Sequence, residues 1–271
     1  MNAALVRALA EKDLRVVLRS RMVVLPMLLV PLVLLVLIPA AIIVVPQLVP
    51  EAASDKEFQE LLARLPAQMK ARFEGYSPLQ QLVVYVAGYM WAPLFLIVPL
   101  MVAGGVAADS FAGERERRTL EALLHTPLTD LELFAGKVAA AWVMAMLVAV
   151  LGFVLYGLTV NLAAWPIMGR VFFPNLTWLL LIGWVTPAVA LLGLGVVVVV
   201  SARVGTAHEA FQAGGLVVLP VVVLLLGQVS GVLFLGPALA LGLGAALWLL
   251  ALGVLRVGFG TFRRTSLLSR V

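Results

Sequence analysis

Charged residues cut the chain into five long uncharged runs, at 22–50, 75–108, 138–169, 171–202 and 210–255. A helix crosses a bilayer with about 20 consecutive apolar residues, so each of the first four runs predicts one crossing. The last run has 46 residues, and a Gly- and Pro-bearing stretch at 227–237 splits it into two crossings joined by a tight turn. The pattern predicts an all-α integral membrane protein whose single transmembrane domain spans 1–271. Its six helices are expected at 22–49, 81–108, 138–162, 177–200, 210–229 and 238–257.

Polar patterning fills in the remainder. Over 4–21, Leu5, Val6, Leu9, Ala10, Leu14, Val16 and Val17 fall on one half of a helical wheel and Arg7, Glu11, Lys12, Arg15 and Arg19 on the other. This predicts an amphipathic helix lying in the membrane interface, an elbow before the first crossing, with Asp13 and Leu18 as exceptions. The segment 50–80 carries Phe58, Leu61, Leu62, Leu65, Met69 and Phe73 at helical spacing, with Pro66 as a bend. It is expected on the outer side as an amphipathic connector. The apolar run after Arg21 exceeds the 7–15 residues of a signal-peptide core, so it is expected to remain as the first crossing.

Composition agrees with a membrane protein. Hydrophobic residues make up 63% of the chain and charged residues 12%, against about 45–50% and about 25% in soluble domains. Six crossings put both termini on one side. If that side is the cytoplasm, 14 of the 19 Lys and Arg residues lie inside, as the positive-inside rule requires. The expected location is the inner (plasma) membrane, multi-pass, with a cytoplasmic tail at 258–271. The net charge of +5 then reflects contact with anionic lipid, and nucleic acid is not an expected partner. With no cysteine and two well-separated histidines, His125 and His208, no metal site is expected.

One segment departs from the apolar pattern. Residues 109–137 hold ten of the 33 charged residues, between uncharged runs of 34 and 32. Phe111, Leu120, Leu123 and Leu124 give it helical spacing, and Pro127 ends that helix. Thr129 followed by Glu132 forms a capping-box pattern, so a new helix should begin near Asp130 and enter the third crossing, with Lys137 snorkelling at the interface. Glu114, Arg117, Arg118 and Glu121 are spaced for ion pairs along a surface helix. The expected form is helix, break, helix, held in the cytoplasm.

The residues Glu114-Arg115-Glu116-Arg117-Arg118-Thr119-Leu120-Glu121, Thr126-Pro127-Leu128, Glu132-Leu133 and Gly136-Lys137 resemble the signature between the second and third crossings of type-2 exporter permeases of ATP-binding-cassette (ABC) transporters. Arg118 replaces the glycine common in that signature. The resemblance implies a six-helix permease that pairs with a second permease copy, identical or different, and docks two copies of a separate ATPase subunit through a cytoplasmic coupling helix within 109–137. The coupling residues it implies are Glu114, Arg115, Arg117, Arg118, Thr119, Leu120, Glu121, Leu124, Pro127 and Leu128. The segment 50–80 is similar to that of the branch associated with sodium extrusion. The chain lacks the phosphate-binding pattern G-x-x-x-x-G-K-[ST], since Leu131 and Val138 stand where Gly and Ser or Thr are needed. No catalytic residue and no cofactor are therefore expected on this chain, and ATP and Mg belong to the partner ATPase.

The substrate is open at this level. Asn161, Thr186, His208, Gln212 and Gln228 are the polar candidates for a substrate path, and no charged residue lies at mid-membrane in the expected crossings. Such a lining suits an amphipathic or lipid-like cargo. The alternatives are a secondary transporter or channel that needs no ATPase, and a membrane assembly factor.

Overall fold

The computed structural model describes residues 3–19, 21–48, 73, 75–117, 119, 129–230 and 232–261. The described residues form helices and connecting turns, with no strand among them. Helix α1 is Ala3–Arg19. Six further helices are long and apolar enough to cross a membrane: α2 Met27–Leu48, α3 Pro78–Glu116, α4 Asp130–Met168, α5 Leu176–Ser201, α6 Ala207–Val229 and α7 Pro237–Thr261. Their number is the number of crossings the sequence predicts. The expected amphipathic connector at 50–80 lies outside the described residues apart from Phe73 and 75–80, and Arg118, Leu120, Glu121, Leu124, Pro127 and Leu128 lie outside them too.

Local chemistry sets where the helices begin and end. Ser77 and Gln80 form a reciprocal capping box at the start of α3, with Pro78 in the first turn. Thr129 and Glu132 do the same for α4, as the sequence predicts. Asn175 caps α5 by accepting from the Trp178 amide, and Thr206 caps α6 by accepting from the Glu209 amide. Gly169 ends α4 at φ 60°, a left-handed conformation in which a Cβ would be strained.

Two helices differ from expectation in length. The second and third crossings, expected at 81–108 and 138–162, are helices of 39 residues each. At 1.5 Å per residue each is about 58 Å long, well beyond the roughly 30 Å hydrocarbon core. No surface helix separates from α3 at Asp109; the crossing itself continues through Glu116. An apolar run marks only the part of a helix that lipid covers, so the charged ends went uncounted.

Helices α3 and α5 form the centre. In the most apolar stretch of each, 72% of α3 and 61% of α5 is buried, against 17% in α6 and α7. Helix α5 packs on both α3 and α7, α4 packs on α3, and α1 lies against the start of α4. At the core Trp178 stacks on Tyr156 at 4.8 Å between ring centroids, with Phe173 and Phe95 edge-on at 4.9 and 5.4 Å.

Helix α3 contains two π-helical stretches, Val86–Met90 and Asp109–Gly113, and each collects side-chain donors on its carbonyls. In the first, Tyr156 donates to Ala87 O (2.7 Å), Trp178 and Asn175 to Gly88 O (2.9 and 3.0 Å), and Gln228 to Tyr89 O (3.2 Å). Pro93 has no N–H to offer the carbonyl four residues back, Tyr89 O, and Gln228 of α6 donates to that same oxygen. Helices α4, α5 and α6 are thereby fastened to one place on α3. Trp91 adds α2 by donating to Leu34 O at 2.9 Å.

Candidate functional site

The second π-helical stretch and the three residues after it, Glu114-Arg115-Glu116, build the charged end of the protein. Successive residues on a helix point about 100° apart, so three in a row fan over about 200° and face different neighbours. Glu114 turns inward and is 7% exposed. It accepts from Lys137 of α4 at 2.5 Å and from Lys12 of α1 at 3.1 Å. Lys137 is fully buried, donates to Ser110 O at 2.8 Å, and lies 3.7 Å from Asp13. Asp13, itself 3% exposed, pairs with Lys12 at 3.0 Å. Two ammonium groups and two carboxylates thus join α1, α3 and α4. Burial, the largest influence on Lys12, pulls its pKa down, but the hydrogen bond and charge of Asp13, with Glu114 beside them, outweigh it and hold the pKa above the ordinary lysine value.

These contacts correct two expectations. Lys137 does not snorkel to the interface, because the carbonyl of Ser110 and the carboxylate of Glu114 satisfy its ammonium inside the protein. Glu114 does not pair along its own helix with Arg117 or present a surface charge. Arg117 instead donates to Asp109 Oδ1 at 2.9 Å. Asp13, an exception on the wheel of α1, is the acid that faces Lys137.

Arg115 and Glu116 take the other two directions. Arg115, half-buried, donates through Nη2 to the carbonyl of Ser201, the last residue of α5, at 2.6 Å and to that of Val204 in the turn that follows. Glu116 accepts from the amide of Ala207, the first residue of α6, at 3.1 Å. A cation thus meets a helix C-terminus and an anion a helix N-terminus, the sense the helix dipoles favour. Thr119 turns the chain back: its amide and hydroxyl both donate to Glu114 O, at 2.9 and 3.2 Å.

The Gly136-Lys137 pair has a structural explanation in the same place. A Cβ on Gly136 would lie 2.7 Å from Leu9 Cδ2 and 3.3 Å from Leu9 Cβ, so only glycine lets α1 approach this closely. Gly136→Val is expected to displace α1 and cost about 1–3 kcal/mol, as overpacking does. Hydrogen exchange over residues 3–19 should rise. Unchanged protection there would contradict the close approach.

A cavity of about 430 Å³ opens beside this end. Its walls are apolar, with Val30 and Pro31 from α2, Val98 and Met101 from α3 and Phe211 from α6, while Asp109, Glu116, Arg117 and His208 line its polar side. Of the polar residues expected on a substrate path, His208 lines this cavity, and Gln212 lies 2.9 Å from the His208 ring. The others lie elsewhere. Asn161 holds the α4–α5 connection through Phe172 and Phe173. Gln228 is buried against Tyr89. Thr186 is buried in α5 with its hydroxyl lacking a hydrogen bond. Gly227, in the stretch expected to divide the last two crossings, meets Leu233 across the α6–α7 turn.

Sequence reasoning missed Lys12, Asp13, Glu116 and the α5–α6 turn. The signal for Asp13 was an acid on the apolar face of a helix, and for Lys137 a lysine eight residues into α4. No group of three or more potential metal-ligating side chains occurs among the described residues.

In comparison with protein families, residues 7–266 fit the model of the family described as ABC-2 family transporter protein. Neither the curated proteins nor the solved structures yield a match. The match spans nearly the whole chain, including α1 from Arg7 on, the charged end and all six candidate spans.

Proposed function

The chain belongs to the ABC-2 family of transporter proteins, and on that premise we propose that it is the membrane-spanning permease subunit of an ATP-driven exporter. In this reading two permease copies form the translocation path, and each docks one of two ATPase subunits through the connection between α3 and α4. ATP and Mg are bound by those ATPase subunits. The charged end faces the cytoplasm of the plasma membrane, α1 lies along the inner interface as an elbow, and both termini are inside. Glu121, Leu124, Pro127 and Leu128 belong to the docking segment, with Arg118, Thr119 and Leu120 leading into it.

One observation carries the reading: the mounting of that segment. Helices α3 and α4 are each longer than a bilayer is thick and are pinned together at their charged ends by Lys137. A segment sprung from such a base transmits a push instead of absorbing it. The cavity between α2, α3 and α6, apolar with a charged rim at the cytoplasmic end, suits intake of an amphipathic, lipid-like molecule. His208 and Gln212 stand at its mouth in this reading, and Thr186, Gln228 and Asn161 lie farther along the protein.

The test is recovery of the chain from its own membranes in mild detergent, followed by native mass measurement and reconstitution. A complex of two permease chains with two ATPase chains is expected, and an amphipathic probe should move only with ATP. A chain recovered without an ATPase, whose transport persists in ATP-depleted vesicles, would establish an ATPase-independent transporter instead.

A further inference from the structure

Among the described residues, the side-chain hydrogen bonds of Arg115 and Glu116 go to the α5–α6 turn, and that turn leads directly to the cavity wall. Arg115 Nη2 holds the Ser201 and Val204 carbonyls, and Glu116 holds the Ala207 amide. The next turn of α6 carries His208 and Phe211, both lining the cavity, and Glu116 and Arg117 line it as well. A dipeptide at the tip of α3 therefore grips the two ends of one short turn with opposite charges. Any displacement of the α3 tip must drag the turn with it or break these hydrogen bonds.

We propose that Arg115 and Glu116 are positioning residues that carry movement of the α3–α4 connection to α6, opening and closing the cavity between α2 and α6. The proposal rests on the ATP-coupled reading above and names its route. Glu114, buried with Lys137 and Lys12, holds the α3 tip to α1 and α4, while Arg115 and Glu116 form the arm toward the cavity. The two functions are separable because the side chains point in different directions.

Pulsed electron-resonance distances between spin labels test this. The chain has no cysteine, so Leu28→Cys on α2 and Leu216→Cys on α6 give a label pair without background. Both side chains are exposed, at 61% and 66%. Doubly labelled chain, diluted into unlabelled chain and assembled with the ATPase recovered alongside it, is measured without nucleotide and after trapping with ATP and vanadate. Trapping is expected to shift the distance in the parent chain and in Glu116→Gln, which keeps an oxygen to accept from Ala207. The shift is expected to be lost in Arg115→Ala and Glu116→Ala, with the ATPase still bound. Should the alanine chains fail to assemble, Arg115→Lys, whose shorter side chain stops short of the position that Nη2 takes between the two carbonyls, should show a reduced shift. Alanine variants that shift like the parent would overturn this route and leave the permease reading intact. Loss of the ATPase itself from both alanine variants would place these residues at the docking surface and overturn the positioning role. A parent chain that shows no shift at all would sink the coupled reading and this proposal with it.

Discussion

Lys137→Met is expected to destabilise the folded chain by about 3–5 kcal/mol, the range for breaking a buried ion pair from one side. Methionine fills nearly the same volume, so packing changes little and the effect is electrostatic. Glu114 would keep only Lys12, and Asp13 would share the same ammonium, which leaves one partly exposed cation against two buried carboxylates. Asp13 Oδ2, without a hydrogen bond, would lose the charge 3.7 Å away. Adding Glu114→Gln removes one of the two stranded charges, so the double variant should be less damaged than the sum of the single variants. Thermal unfolding in detergent, followed by tryptophan fluorescence, gives the four melting temperatures needed. Additivity within about 0.5 kcal/mol would refute the cluster as a unit. Glu114→Lys, the obvious probe of a surface coupling charge, would set a third ammonium beside Lys137 and Lys12, and it therefore reports on folding rather than coupling.

Much of this architecture is legible in the sequence. Five uncharged runs, the last split at 227–237, give six helices, and the Thr129–Glu132 box marks the start of α4 to the residue. The direction each charge faces is a different matter. Helical spacing places Glu114 relative to Arg117 on one helix, but which face is inside depends on α1 and α4, whose positions a single chain's pattern does not give. The spacing did hold an unread clue: adjacent residues on a helix diverge, so Glu114, Arg115 and Glu116 could never have faced one partner together. Similarly, Pro93 shows in the sequence that one backbone N–H is missing opposite Tyr89 O, yet nothing local says that Gln228, 139 residues away, donates to that oxygen.

The two π-helical stretches make α3 a rod with fastenings near both ends. At Val86–Met90 it is held by α4, α5 and α6, and at Asp109–Glu116 by α1, α4 and the α5–α6 turn. The fastenings differ in kind. The first is neutral, aromatic and deep, whereas the second is ionic and opens toward water. Hydrogen bonds at an exposed end exchange more readily with solvent than those in an apolar core, so motion should concentrate at the charged end, with the aromatic end as the pivot.

Trp178→Ala tests that pivot and should cost about 3–5 kcal/mol. The origin of the cost can be assigned. Gly88 O would keep a donor in Asn175, so no carbonyl is stranded, and the loss is the cavity left beneath Tyr156, Phe173 and Phe95. Trp178→Phe retains most of the ring and should cost only about 1 kcal/mol for the lost N–H. Asn175→Ala removes the other donor and the cap of α5 together. Combined with Trp178→Phe it leaves Gly88 O without a side-chain donor in an apolar core, so the pair should cost more than the two separately. Melting temperatures of the three chains decide it. If the combination is merely additive, the two donors do not share the carbonyl as the geometry requires, and the aromatic cluster alone, without the π-helical carbonyls, holds the pivot.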